Sequence, residues 1–282
     1  MFPRLPDRLL LYTAGAHLLV GLIALVLVTV SAAPVLGVHP ALKPFKFGIS
    51  IALFLASIAF VLPLLSVSAV VQRALAWALA ITMILEMLPI TLQAARGTTS
   101  HFNIHGRFNG LMWNLMAAAI VVATLAMLVI AVVATVRPLI SDAGQPVDAI
   151  SSTSWRVALW LFMLAAFSGF RMASQMRHSV GGIDGGAGLP VVNWSLNHGD
   201  LRVTHFISLH ALQTLPLIGV LLLRVPVGAL PRWVVLVAVI IGHLALIGWT
   251  LVRLSISHKS RLDRAWRRAR QRRPRPESWR AR

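Results

Sequence analysis

The sequence predicts an all-α fold: a polytopic transmembrane bundle of about seven helices. Three observations predict it. The 282 residues are 57% hydrophobic and 12% charged, where a soluble domain carries roughly 25% charged residues. Seven apolar stretches are each long enough to cross a hydrocarbon core, which takes roughly 20 residues. Trp77, Trp113, Trp155 and Trp233 stand near the ends of those stretches, where indole rings anchor at the headgroups.

The stretches fall at 10–32, 47–67, 74–95, 110–136, 155–174, 202–223 and 232–254. With no water to satisfy peptide groups, spans of this length are helices. The first is followed by "SAAPVLG", which resembles a signal-peptide cleavage site. Its apolar region exceeds the roughly 7–15 residues of a signal sequence, so it reads as a membrane helix. The second starts beside Lys43 and Lys46, which either snorkel to the headgroups or receive an anionic group. The third carries Glu86 and Pro89, and the fourth follows the glycine-bracketed "RGTTSHFNIHGRFNG". Between the fifth and sixth lies "GGIDGGAGLP", a flexible flap or close-packed turn that holds Asp184. The sequence thus divides into a transmembrane domain, 1–254, and a basic tail, 255–282.

The formal net charge is +18, and half of it lies in the tail. Eleven Lys/Arg against Asp263 and Glu277 give residues 255–282 a net of +9. A basic run beside a membrane span is an orientation signal and a contact for anionic lipids, not a nucleic-acid site. It places the tail in the cytoplasm, the amino terminus outside and the protein in a cell inner membrane. Alternation of seven spans then puts the histidine-bearing loops on the tail's side, whereas the loops on the other face hold no histidine. The sequence has no cysteine, which excludes disulfides, thiolate metal sites and a cysteine nucleophile. It also lacks a nucleophile elbow, an H-E-x-x-H helix, a P-loop and a Schiff-base lysine in the last span.

Candidate chemistry starts with Glu86, the only acidic residue inside a predicted span. Insertion of an Asp at mid-bilayer costs roughly 2.5–3.5 kcal/mol, so Glu86 should face the bundle interior as a proton carrier, ligand or substrate contact. His210 and His243 are the next intramembrane groups, with His17 shallower in the first span. At a rise of roughly 1.5 Å per residue, His243 lies about 16 Å and Glu86 about 18 Å from the outer ends, and His210 about 12 Å from the inner end. In a core roughly 30 Å thick these depths coincide, so the three are expected to meet one another or a cofactor.

The entrance to the sixth span, "NHGDLRVTHFISLH", gathers His198, Asp200, Arg202 and His205. His198, Arg202 and His205 are spaced by four and three, one helical face, and Gln213 extends that stripe. His210 points about 140° away from His205. Asp200 also suits the amides at the helix start. In the third loop, His101 and His105 are four apart and would share a metal if that stretch were helical. The catalytic candidates are therefore Glu86, Asp200, Arg202 and His205. The cofactor candidates are His210, His243 and His17, and the metal candidates His101, His105 and His198.

At "HPALKPFKFGIS", "LQAARGTTSHFN" and "GLPVVNWSLNHGDLRVTHFISLHALQTLP" the chain resembles an uncharacterised family of bacterial multi-pass membrane proteins. The resemblance spans the second to sixth helices. It implies a multi-pass bundle and no particular activity, and it assigns no functional residue.

Three functions follow as expectations. The first is a membrane redox protein holding b-type haem or a transition metal between helices on His210 and His243. The second is a proton-coupled transporter of a small molecule or ion, in which Glu86, His210 and His243 titrate while the glycine-rich flap acts as a gate. The third is a non-catalytic membrane component that docks a partner through its tail.

Overall fold

The computed structural model describes residues 6–271, with side chains described for 6–257. Among these residues, seven helices are long and apolar enough to cross a membrane, as the composition requires. They are α1 (Arg8–Leu27), α2 (Leu42–Val61), α3 (Ala69–Ala95), α4 (Arg107–Val136), α5 (Ala149–Ser174), α6 (Leu201–Arg224) and α7 (Ala229–Gln271). A 3₁₀ turn, Leu62–Leu64, prolongs α2. The only strands among the described residues are β1 (Ser179–Val180) and β2 (Gly199–Asp200), an antiparallel pair that closes the loop between α5 and α6. The protein is a multi-pass membrane protein of the all-α class.

Several helices begin earlier than the apolar runs, because caps rather than hydropathy fix their first turns. Asp7 accepts the Leu10 N–H at 3.0 Å, Ser68 that of Val71 at 3.4 Å, Asp148 that of Ile150 at 2.8 Å and Asp200 that of Arg202 at 3.0 Å. Each oxygen satisfies an amide that the helix start leaves unpaired. The cap at Ser68 starts α3 at Ala69 rather than at 74. Glu86 is nine residues from the tail-side end, Ala95, about 14 Å. At the other end of the chain, α7 continues past residue 254 to Gln271 without a break. The rest of the basic tail, 272–282, lies outside the described residues.

Consecutive helices pair as α1–α2, α3–α4 and α5–α6, and α7 lies on α6. Lipid tails are as apolar as leucine, so these contacts rest on close packing rather than on water exclusion. The α1–α2 crossing shows this. A Cβ placed on Gly48 would sit 2.6 Å from the Gly21 Cα, so the backbones touch because neither residue has a side chain. Leu55, Ile58, Leu79, Ile90, Met127 and Leu215 are fully buried along the bundle interior, while Leu18, Leu22, Val121, Leu125, Leu217 and Leu221 face outward. Such an apolar exterior is the surface of a protein solvated by lipid.

Loops 28–41, 96–106 and 175–200 gather at the end where α7 continues into the tail; Gly181 and Gly199 both lie against Ser257. The opposite end is closed by backbone. Ile140 N–H donates to Leu64 O and Val147 N–H to Leu139 O, both at 2.8 Å, over buried Leu64, Leu65 and Leu139.

Candidate functional site

The tail-side end holds the main concentration of buried polar groups. Three elements build its centre. The first turns of α2 supply Lys43, Lys46 and Phe47. α3 supplies Glu86, two thirds of the way along the helix and 3% exposed. Loop 96–106 then folds back into the bundle instead of continuing outward. Gly97 (φ 64°), Phe102 (φ 60°) and Gly106 (φ 82°) turn it through left-handed backbone, and Ser100 and Asn103 are buried. This fold places His101 between α2 and α3.

His101 bridges two charges. Its Nδ1 lies 3.0 Å from Lys43 Nζ, and its Nε2 is 3.4 Å from Glu86 Oε1, slightly longer than an ideal hydrogen bond. An ammonium only donates, so Nδ1 is the acceptor, and the ring proton is left on Nε2, the nitrogen beside the carboxylate. The ring packs among Phe47, Phe102 and Trp113, with centroids 5.5, 6.0 and 5.9 Å away. Burial among these rings holds the imidazole well below its ordinary value near 6.5, reinforced by the charge of Lys43 and by His205. It is therefore neutral at pH 7. Glu86 Oε2 is buried and makes no hydrogen bond to any described residue. A buried carboxylate oxygen without a donor is the natural landing place for a proton or a solute hydrogen.

The loop between α5 and α6 covers this centre. Arg202 grips Asp200 through Nε at 3.0 Å and Nη2 at 2.6 Å, and the Asp200 carboxylate also accepts the N–H groups of Ser195 and Arg202. Burial pushes the Asp200 carboxyl up. The Arg202 hydrogen bonds and charge, with these amides, more than offset that and hold it below its ordinary range. His178 Nδ1 lies 3.2 Å from Asp184 and 3.9 Å from Asp200. Burial, then the charge of Arg202, lowers the His178 imidazole against the opposing pull of both carboxylates. Asp184 also accepts the N–H groups of His178 and Ser179, so it organises the loop. Lys46 Nζ donates to the Val191 and Val192 carbonyls at 3.1 and 3.5 Å, and Arg202 Nη2 to that of Asn193.

The remaining expected groups occupy separate places. His205 Nδ1 is 2.8 Å from Ala165 O and 3.1 Å from Ser168 Oγ, with Gly169 leaving room for the ring. His17 lies 2.7 Å from Thr13 O and 3.1 Å from Met83 O, tying α1 to α3 one turn before Glu86. His210 Nδ1 meets Gln213 Oε1 at 3.0 Å, and Gln213 donates to Ser57 on α2 at 2.8 Å. His243 is engaged at both nitrogens, by Thr214 Oγ1 at 3.0 Å and by Val239 O at 3.2 Å.

Three geometric expectations need correction. Glu86 pairs with His101, not with His210 or His243, because the left-handed turns at Gly97 and Phe102 fold loop 96–106 back toward it. His101 and His105 share no helix face: the loop is irregular, with His101 turned inward and His105 exposed. His198 does not share a helical stripe with Arg202 and His205. Asp200 is extended (φ −134°, ψ 112°), so helical phase begins only at Leu201, and His198 packs on Gly182 instead. Among the described residues, no group of three or more His, Cys, Asp or Glu is arranged to hold a metal ion. Sequence reasoning missed Lys43 as the partner of His101. The only signal was a lysine at the start of the second span, which fits a headgroup contact equally well.

Fold and site together define a multi-pass membrane protein in which a half-buried Lys43 and His101 lead to a buried Glu86 at its tail-side end. The chain matches no known family, no curated protein and no solved structure.

Proposed function

We propose that the protein is a proton-linked carrier of a small solute in a bacterial-type inner membrane, with its tail in the cytoplasm. The observation that supports this reading is the Lys43–His101–Glu86 chain, which runs from the loop-covered end to an interior carboxylate. Ionisable groups buried within spans mark proton and substrate pathways. The proton steps balance without a cofactor. A proton passes from the Lys43 ammonium to His101 Nδ1, and the Nε2 proton passes to Glu86. The products are a neutral amine, the other imidazole tautomer and a neutral carboxylic acid. A proton from the tail-side solution then restores the ammonium, so the chain gains one proton, Glu86 loses its charge, and the attraction that ties α2 and loop 96–106 to α3 weakens. That is the kind of switch alternating access requires.

This reading is better supported than a haem between His210 and His243. An axial ligand needs an open ring nitrogen, and both nitrogens of His243 already face protein partners. In the carrier, the basic tail fixes orientation and contacts anionic lipids.

The test is reconstitution into liposomes with an imposed pH gradient and a panel of labelled amino acids, carboxylates, sugars and inorganic ions. One solute should accumulate, a protonophore should abolish the accumulation, and Glu86→Gln should reduce it to the level of empty liposomes. Accumulation at the wild-type rate in Glu86→Gln would contradict the proposal. So would purified protein that absorbs as haem and moves no solute.

A further inference from the structure

Resting on that carrier reading, we propose that the solute is a small anion bearing a carboxylate or phosphate group, bound between Lys46 and Arg202. In this structure the segment 191–193 occupies the position of the anion.

The argument starts from the partners of Lys46. Among the described residues no carboxylate pairs with it; its ammonium is held only by the carbonyls of Val191 and Val192. The next carbonyl, that of Asn193, is held by Arg202. Two cations from different helices therefore flank one tripeptide, Lys46 with no carboxylate partner among the described residues and Arg202 also paired with Asp200. Its two residue steps span at most about 7 Å, the width of a small mono- or dianion.

The backbone that fills this gap is held in an unfavourable conformation. Val191 has φ 64° and Asn193 φ 54°. Asparagine tolerates the left-handed region, but a β-branched valine is a clear outlier there. Outliers of this kind persist where surrounding contacts impose them, and they cluster at clamps and switches. The contacts here are the two cations together with the turn's own peptide bonds, Val192 N–H to Pro190 O and Asn193 N–H to Leu189 O. A carbonyl oxygen offers an ammonium only a partial charge, and an anionic oxygen makes a stronger, charge-assisted bond. A carboxylate or phosphate would thus replace the three carbonyls and let the segment relax away from the site.

The position also explains how anion and proton are linked. Lys43 and Lys46 lie three apart on α2, on neighbouring faces one turn from each other. An anion on Lys46 adds negative charge one turn from the Lys43–His101–Glu86 chain and favours its protonation. The anion and the proton then move together, and the charge crossing the membrane is reduced.

The experiment is equilibrium binding of [14C]succinate and [32P]phosphate to the full-length protein in nanodiscs. At least one label should bind saturably, and which one binds distinguishes carboxylate from phosphate. Lys46→Gln should weaken binding by about tenfold or more, the worth of one charge-assisted hydrogen bond, while Lys46→Arg retains it. Glu86→Gln should still bind the anion while failing to accumulate it under a pH gradient. Binding of neither label, or equal binding to wild type and Lys46→Gln, overturns the anion site. Gradient-driven uptake of a neutral or cationic solute overturns it too, yet leaves the carrier standing. Lys46-dependent binding with no proton-linked uptake of any solute upholds the site and removes the carrier.

Discussion

The two ends of the bundle are closed in different ways. At the end away from the tail, loop 137–148 is laced to the α2–α3 connection by peptide hydrogen bonds over Leu64, Leu65 and Leu139, which are at most 2% exposed. Ser66 and Arg137 add contacts to backbone carbonyls, and no histidine takes part. At the tail end, the loops are held by side chains: Lys43 on His101, Lys46 on Val191 and Val192, Arg202 on Asp200, and His178 beside Asp184. Peptide hydrogen bonds over an apolar floor do not respond to protons or to charged solutes. Side-chain pairs between titratable groups respond to both. On the carrier reading, the difference makes the tail end the one on which protons and solute act, and the other end opens only as a consequence.

Substitutions and pH sharpen this comparison. The largest effect is expected at the responsive end: Glu86→Gln should eliminate gradient-driven uptake while leaving the protein folded, because the amide keeps the shape of the carboxyl and loses only its proton chemistry. At the closed end the pattern should reverse. Leu139→Ala opens a cavity in a fully buried site and should cost about 2–5 kcal/mol, read as a lower thermal midpoint in detergent, with the response of uptake to pH unchanged. A smaller effect separates the ends by acidity. Burial lowers the imidazoles of His101 and His178 in the folded protein. The unfolded state therefore takes up protons first as pH falls through about 6.5, and the folded state loses stability from there downward. Corrected for the intrinsic fall of amide exchange with pH, hydrogen-exchange protection in 96–106 and 175–200 should drop between pH 7.5 and 5.5, whereas 137–148, which has no histidine, keeps its protection.

How much of this was legible in the sequence follows from what each feature depends on. The seven helices were legible because a long apolar run has one solution in lipid. Their first turns were not, since Ser68 and Asp148 set them through caps in polar stretches that hydropathy passes over. Glu86 announced itself as a lone carboxyl in a span. Its partner did not, because His101 reaches it only through the left-handed turns at Gly97 and Phe102, and glycine spacing gives no direction of folding. Lys43 read equally well as a headgroup contact, since sequence cannot say whether a lysine near a helix end points to water or to a buried ring. His210 and His243 shared a depth, but they are satisfied by Gln213 and Thr214. Those polar neighbours on α6 were the available sign that each histidine had a local partner.

The central claim is that His101 carries the link between Lys43 and Glu86. Solid-state 15N NMR of histidine-labelled protein in lipid bilayers, with the signal assigned by its loss in His101→Asn, tests it most directly. The account predicts a neutral ring at pH 7 with the proton on Nε2 and a bare, hydrogen-bonded Nδ1, and a shifted Nε2 signal in Glu86→Gln. A ring with its proton on Nδ1, or signals indifferent to Glu86→Gln, would contradict it.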